Sequence, residues 1–427
     1  MDKQEVLIIG AGISGLVMAR MLCRAGLKVA VIEARDRIGG RILSIRDRGV
    51  TLEAGPEFIH GHLKETVSLL NEYRIPFKET AGKMYYARSG RLELYSEENG
   101  DWDLLIKKMK GLKKDLPFTE FLMVNFNAEK FRKLRESAIR FAEGFDLADV
   151  HKVSSISLIR EWEQEESVQY RIPGGYGQLT EAISREFILS GGKIYLNCPV
   201  RELQWVRGDV LITASENQKF RAGRVIVTLP VGVLNHAGYA DNAVRFSPEL
   251  ADKKIALQQI GFGTVIKMVL LWDTTFWKRF TPDLGFIFSE EDIPTWWTQS
   301  PTDSNVLTGW VGGKKAETLS GLPEPELLKI ALQNLSAIFG LTQAELNAQL
   351  VSAKCFNWKK EIFTGGAYSY TLAGYEKARV TWKLPVEDTL YFAGEACYDG
   401  PHGGTVEAAI VSGLETAREL LKQYRAT

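Results

Sequence analysis

The chain has 427 residues, 45% hydrophobic and 25% charged, and its 53 basic residues balance 53 acidic ones. That length accommodates two or three domains and a large core, and a net charge of zero gives no electrostatic footprint for nucleic acid or an anionic membrane. Cys23, Cys198, Cys355 and Cys397 lack C-x-x-C spacing, so neither a zinc site nor a disulfide framework is expected, no metal ligands are assigned, and a reducing cytoplasm fits. Cys23 is expected as core on the buried face of the first helix. A strand that starts almost at Met1 leaves no room for a signal peptide. No apolar run approaches the roughly 20 residues that span a bilayer, and the polar end Lys422–Thr427 offers no tail anchor. A soluble protein is expected.

The first predicted element, Val6–Ile9, is an apolar run ended by glycine, the pattern of a parallel strand buried on both faces. A helix follows from Leu16 to Cys23. Between them Gly10, Gly12 and Gly15 have G-x-G-x-x-G spacing around Ile13 and Ser14. The first glycine permits the tight turn, the second lets backbone approach a pyrophosphate, and the third packs helix on strand. The helix N-terminus presents unpaired N–H groups to phosphate. Lys28–Ile32 supplies the next strand, and Glu33 ends it eighteen residues after Gly15, where a carboxylate accepts ribose hydroxyls. These features imply a bound dinucleotide.

Ala34 and Arg35 lead on to Gly39, Gly40 and Arg41, a bend followed by a guanidinium able to fork onto a pyrophosphate. The whole run resembles the FAD fingerprint of the flavin amine oxidase superfamily, which also contains phytoene desaturases and protoporphyrinogen oxidases. The resemblance favours FAD over NAD. It implies cofactor contacts from Gly10, Gly12, Ile13, Ser14, Gly15, Glu33, Ala34, Arg35, Gly40 and Arg41, and from the turn Gly55, Pro56 and Glu57 that follows a short strand at Val50–Glu53.

Further along, a helix is expected at Leu63–Tyr73 and a hairpin at Lys83–Tyr95 around Ser89-Gly90. Asp101 to Trp162 reads as mostly helical. After Gly174-Gly175 come a helix, a strand at Lys193–Leu196, two strands around Gly208 and a buried strand at Val225–Leu229 ended by Pro230. A helix after Phe246 leads into Phe262–Trp272 and several Trp-rich strands through Val311, read as one antiparallel sheet. Helices between Pro323 and Leu350 precede a closing strand at Leu390–Glu395 and a long helix over Thr405–Tyr424. The expected fold is α/β: a discontinuous FAD-binding Rossmann-type domain of the glutathione-reductase/hydroxylase-like kind (1–78, 171–245, 384–427) and an α+β substrate domain (79–170, 246–383) with an antiparallel sheet and helices.

Gly394 and Glu395 at the end of the closing strand, then Gly403, Gly404, Thr405 and Val406 opening the last helix, resemble the second FAD motif of the amine oxidases. There the Glu meets a ribityl hydroxyl and the helix N-terminus stabilises negative charge at the flavin N1 edge. Read without the resemblance, this is a strand, a loop and a capping Thr. Lys267, in Thr264–Trp272, is a cation in an apolar strand, costly unless partnered or tasked. Its surroundings resemble the segment whose Lys holds a water against flavin N5; otherwise it is an outward-pointing residue of an alternating strand. Trp358 and Gly365–Tyr370 resemble the segment in which a Trp packs by the flavin and a Tyr, here Tyr368, walls an aromatic cage that orients an amine. Monoamine oxidases have the flavin-bonded Cys where Ala367 stands and a second cage Tyr where Thr405 stands, so the FAD should be noncovalent and the pocket wider.

His60, in Ile59-His60-Gly61, matches a histidine beside the substrate tunnel of polyamine oxidases and could tune amine protonation; a structural histidine is the alternative. Val200 matches the strand whose backbone meets adenine. Glu161, Glu163, Glu165 and Glu166 read as a solvated helix face rather than a polycation site. The resemblance covers essentially the whole chain and implies an FAD-dependent amine oxidase. It would turn a small amine into an imine that hydrolyses, with O2 reduced to hydrogen peroxide and no nucleic-acid or membrane partner. Three alternatives stay open: an L-amino-acid oxidase, a desaturase or isomerase on a non-amine, and a non-catalytic flavoprotein scaffold.

Overall fold

Val6, Leu7, Ile8 and Ile9 are all buried, because the strand Gln4–Ile9 lies inside a sheet covered on both faces. Each such aliphatic side chain contributes about 1.5–3 kcal/mol by leaving water. The structure, a computed structural model, describes residues 3–95, 99–164, 168–235 and 244–426. Its largest sheet has eight strands. Four of them, Lys193–Tyr195, Val29–Ile32, Gln4–Ile9 and Lys219–Val227, run parallel side by side, and Leu390–Phe392 pairs parallel with the last. Asp209–Ala214 then runs antiparallel, followed by Val200–Val206 and Arg245–Ser247. Start, middle and end of the chain therefore meet in one sheet.

Register aligns the carboxyl ends. Ile9 lies opposite both Ile32 and Val227, and Val227 opposite Phe392. The segments that leave these ends begin with Gly10, Glu33, Thr228 and Ala393-Gly394, so the residues singled out in the glycine turn and the last motif are neighbours by construction. The helices Ile13–Arg24, Gly177–Leu189 and Val406–Ala426 cover one face. The first and last cross closely: a Cβ on Gly413 would stand 2.7 Å from the Ser14 carbonyl oxygen.

A second sheet has seven strands, in the order Leu350–Asn357, Val265–Trp272, Val306–Gly312, Thr295–Thr298, Leu284–Phe288, Lys83–Arg88 and Arg91–Leu94. The strands from Val265 to Gly312 pair antiparallel as expected, and the sheet is mixed only because Lys83–Arg88 joins it parallel to Leu284–Phe288. A hairpin that arrives from far upstream has its direction set by that crossing, which local alternation does not encode. Ile266, Met268, Leu270 and Trp272 pack under the helices Glu324–Phe339 and Gln343–Gln349. Lys267 points the other way, with Val265 and Val269, toward Ala54 and Leu52. Four helices between residues 99 and 162 enclose an aromatic cluster of Phe118, Phe121, Phe126 and Trp162. Cys23 is half-buried rather than core, its thiol donating to the Ser190 carbonyl.

Candidate active site

The glycine turn is built as its spacing implies. Gly10 has φ 109°, and a Cβ there would lie 2.4 Å from Thr228 Oγ1; one on Gly15 would lie 2.1 Å from the Gly10 carbonyl. A Cβ on Gly12 would meet nothing within 4 Å, so this position opens onto a cavity. Gly12 also caps the first helix without any side-chain acceptor, and Ser14 Oγ is buried with no partner. A helix start with free N–H groups and an unpaired hydroxyl accommodates an anionic diphosphate. Glu33 accepts from Ala11 N at 2.8 Å and Arg35 N at 3.0 Å, which fixes its carboxylate at the end of its strand. Arg35 bonds Thr364 Oγ1 at 2.8 Å and pairs with Glu361, tying this end to the loop that carries Ala367.

Arg41 and Glu395, expected at different parts of one cofactor, form an ion pair at 2.9 Å. Glu395 also accepts from Ser369 N and Oγ at 2.9 and 2.5 Å, and Arg41 donates to the Ala367 carbonyl at 2.6 Å. The last helix is capped by Thr405, which accepts from Ala408 N at 3.1 Å and donates to the His402 carbonyl at 2.7 Å. Gly404 has φ +69°, and a Cβ there would stand 2.7 Å from Tyr368 Cδ2. The ring of Tyr368 therefore rests on the bare backbone at the helix start.

Lys267 is 1% exposed and its ammonium reaches Glu57 Oε2 at 2.8 Å and the Gly55 carbonyl at 3.1 Å. Two of its three protons are thus committed. Glu57 Oε1 accepts from Trp297 Nε1 at 3.0 Å and Gln299 Nε2 at 2.8 Å, and Arg171 lies 3.2 Å away. Burial would raise the Glu57 carboxyl, but Lys267 and Arg171 reverse this and hold it down to about 2. Lys267 is therefore inward and charge-compensated. Trp358 donates to the Ala54 carbonyl at 2.9 Å, on the same wall.

Tyr368 donates its hydroxyl to the Phe145 carbonyl. Phe145 stacks on Phe141 at 5.2 Å and meets His60 edge-on at 5.4 Å. Burial alone pushes His60 down to about 4, and its Nδ1 has no partner, so the ring is neutral in the folded protein. Glu161 lies at the end of the helix Ser155–Trp162, whereas Glu163 pairs with Lys110 at 2.6 Å; Glu165 and Glu166 lie outside the described residues.

One cavity of about 1610 Å³ joins these groups. Every residue singled out above as a cofactor or catalytic contact borders it except Gly15, which instead closes the helix against its strand. Val200 borders it from the central sheet and His60 from the opposite end. Sequence reasoning missed Arg171, Trp297, Gln299 and Phe145. Their signal is tertiary: Arg171 stands opposite Phe58 only through strand pairing. Among the described residues no cluster of three or more His, Cys, Asp or Glu could hold a metal ion, and no helix is long and apolar enough to cross a membrane.

A family model described as flavin containing amine oxidoreductase matches residues 13–421. The chain is 26% identical to polyamine oxidase 4 of Oryza sativa subsp. japonica, over 98% of this chain and 89% of that protein. It is 25% identical to human amine oxidase [flavin-containing] B, over 98% and 86%. It is also 25% identical to lysine-specific histone demethylase 1B of Mus musculus, of which it spans only 53%. In fold it matches wild-type putrescine oxidase bound to putrescine with a TM-score of 0.82 at 23% identity, over 99% of each chain. Cyclohexylamine oxidase from Brevibacterium oxydans matches at 0.80 and 19% identity, over 99% of this chain and 100% of that one.

Proposed function

This chain belongs to the family of flavin-containing amine oxidoreductases, and we propose that it oxidises a small primary or secondary amine held against Tyr368, with FAD bound noncovalently along the carboxyl ends of the eight-stranded sheet. On this reading the sheet is a Rossmann-type FAD domain assembled from 1–78, 171–245 and 384–427, and the rest is the substrate domain. When bound, FAD would supply the two-electron oxidation of the amine to an imine, with O2 as the electron acceptor and hydrogen peroxide as its product.

The chain's own residues do the rest. Gly12, Ser14 and the first helix N-terminus hold the pyrophosphate, Glu33 the ribose, and Val200 backbone the adenine. Arg41 and Glu395 are already locked to each other, so they enter the site preorganised as one polar unit. The start of the last helix at Thr405 and Val406 favours negative charge on the cofactor edge it faces. Lys267 has one proton left for a water or for dioxygen after Glu57 and Gly55 take two. Ala367 has no thiol with which to bond a flavin.

Tyr368 supplies a flat wall for the amine, and its phenol stays protonated because burial raises it well above the ordinary value. Beyond it the cavity is walled by Phe58, His60, Phe141, Phe145 and Trp297, an apolar lining suited to a hydrophobic amine substituent. The observation that carries the reading is that a diphosphate cradle, a buried Lys267 and the glycine-seated Tyr368 all open on one cavity. Anaerobic mixing with panels of monoamines, polyamines and amino acids tests it: one amine class should bleach the yellow flavin, and bleaching by none would overturn it.

A further inference from the structure

Glu161 borders this cavity and, among the described residues, makes no ion pair, unlike the buried glutamates Glu33, Glu57 and Glu395. Glu33 has Arg35 at 3.4 Å, Glu57 has Lys267 and Glu395 has Arg41. Among the described residues Glu161 has a single hydrogen-bond donor, Ser157 Oγ at a long 3.4 Å. Its Oε1 lies 2.8 Å from where a Cβ on Gly403 would stand, while the next residue, Gly404, has the ring of Tyr368 at 2.7 Å from its own missing Cβ. Two consecutive glycines thus seat a carboxylate and an aromatic ring in one corner, next to the small side chain of Thr405. A half-desolvated carboxylate with no cation in direct contact, beside the surface that is to receive an amine, attracts an ammonium ion.

Resting on the amine-oxidase reading above, we propose that Glu161 is the catalytic carboxylate that receives the incoming substrate ammonium beside Tyr368 and takes one of its protons. The step is R–NH3⁺ plus carboxylate giving R–NH2 plus carboxylic acid; no electrons move and no bond to carbon changes. It leaves the nitrogen lone pair free, which oxidation at the α carbon requires. The groups around Glu161 suit the task. Arg379, from the helix Lys377–Lys383, is occupied by Ser369 Oγ at 2.9 Å and the Ala396 carbonyl at 3.1 Å. Arg160 on its own helix, Glu395 and Tyr368 complete the charged and titratable groups that act on it. Burial, opposed by Arg379 and Ser157, pushes its carboxyl up to about 7. The gap to an alkylammonium is then about 3 in pKa, against about 6 for an ordinary glutamate.

The pH dependence of anaerobic flavin reduction at subsaturating alkylamine tests this in wild type, E161Q and E161D. If Glu161 takes the proton, the wild-type and E161D rates stay level from about pH 7.5 to 9, because the reacting pair, carboxylate enzyme and ammonium substrate, predominates throughout that interval. E161Q must wait for free amine, so its rate falls about tenfold per pH unit below the amine's own pKa. A weakly basic fluorinated amine, already neutral at pH 8, should lose less than about threefold in E161Q. Calorimetry with tert-butylamine, which lacks an α hydrogen, gives a readout independent of turnover. At pH 8 in two buffers of different ionisation heat, wild type should release no net proton and E161Q about one per amine bound. Identical pH profiles and proton counts in wild type and E161Q would overturn the assignment. A flavin that no amine bleaches would instead overturn the oxidase reading, while the calorimetry still decides Glu161.

Discussion

Lys267 Nζ and Glu57 Oε2 lie 2.8 Å apart with both side chains almost wholly out of water. Removing one partner of such a buried pair strands the other, at a typical cost of 3–5 kcal/mol. Glu57 keeps Arg171, Trp297 and Gln299 if Lys267 is lost; Lys267 keeps one hydrogen bond, to the Gly55 carbonyl, and the Trp297 ring face if Glu57 is lost. E57A should therefore destabilise the fold more than K267M, read as midpoints in urea. Equal losses would show that the four-partner network does not compensate.

The same carboxylate makes stability depend on pH. Its folded pKa of about 2 lies below the ordinary 4.5, so its contribution is complete above about pH 4.5 and disappears as pH falls toward 2. Integrated, that is roughly 3 kcal/mol. The stability gap between wild type and E57Q should close by about this amount over that interval, and a gap independent of pH would contradict the assignment.

His60 acts in a neighbouring window. Held neutral by burial to about 4 against an ordinary 6.5, it stabilises the fold fully above pH 6.5 and loses that contribution as pH falls through 4. H60L should gain stability relative to wild type over this interval. The imidazole NMR signals of His60 should also show no titration near pH 6.5.

For turnover, Lys267→Met should slow reoxidation of the reduced flavin by oxygen more than reduction by amine, because the proton not used by Glu57 and Gly55 is the one available to the oxygen step. Stopped-flow measurement of the two half-reactions separates them. Equal slowing would leave Lys267 a structural residue.

Gly404→Ala places a methyl group against the Tyr368 ring and a side chain at φ +69°. The backbone alone costs on the order of 1 kcal/mol, and the displaced ring should slow anaerobic reduction at least about tenfold while bound flavin is retained. Acid or heat should release all flavin from the wild-type chain, since Ala367 cannot hold it. Colour remaining on the precipitated protein would refute noncovalent binding.

Much of this site was legible because its cofactor half rests on local backbone requirements. Gly10, Gly12 and Gly15 state their roles through spacing alone, and the hairpin at Ser89-Gly90 and the helix over Lys64–Glu72 follow from turn chemistry and periodicity. Lys267 was recognisable as a cation in an apolar strand, but its partner lies 210 positions away, beyond any local pattern. The Arg41–Glu395 pair spans 354 positions, and each half had been assigned separately to the cofactor. Thr405 proved to be the capping residue that the plain reading allowed, with its hydroxyl engaged on both sides. Glu161 is hidden by its company: beside Glu163 it reads as one more surface charge, and the space it occupies is left by the missing side chain of Gly403, 242 positions away in sequence.

The parallel strand Leu390–Phe392, paired with Lys219–Val227, has a consequence for how the protein is made. A ribosome must deliver the whole stretch between the two strands before they can pair, so the nascent sheet waits with the Val225–Val227 edge of its centre unpaired. Pairings of such sequence separation form slowly and leave apolar strand edges open to other chains. The cofactor cradle, whose last wall follows directly from that strand, can close only after the strand has emerged. Flavin supply during expression should accordingly govern yield through the final folding step, with starved cells accumulating aggregate rather than colourless native protein.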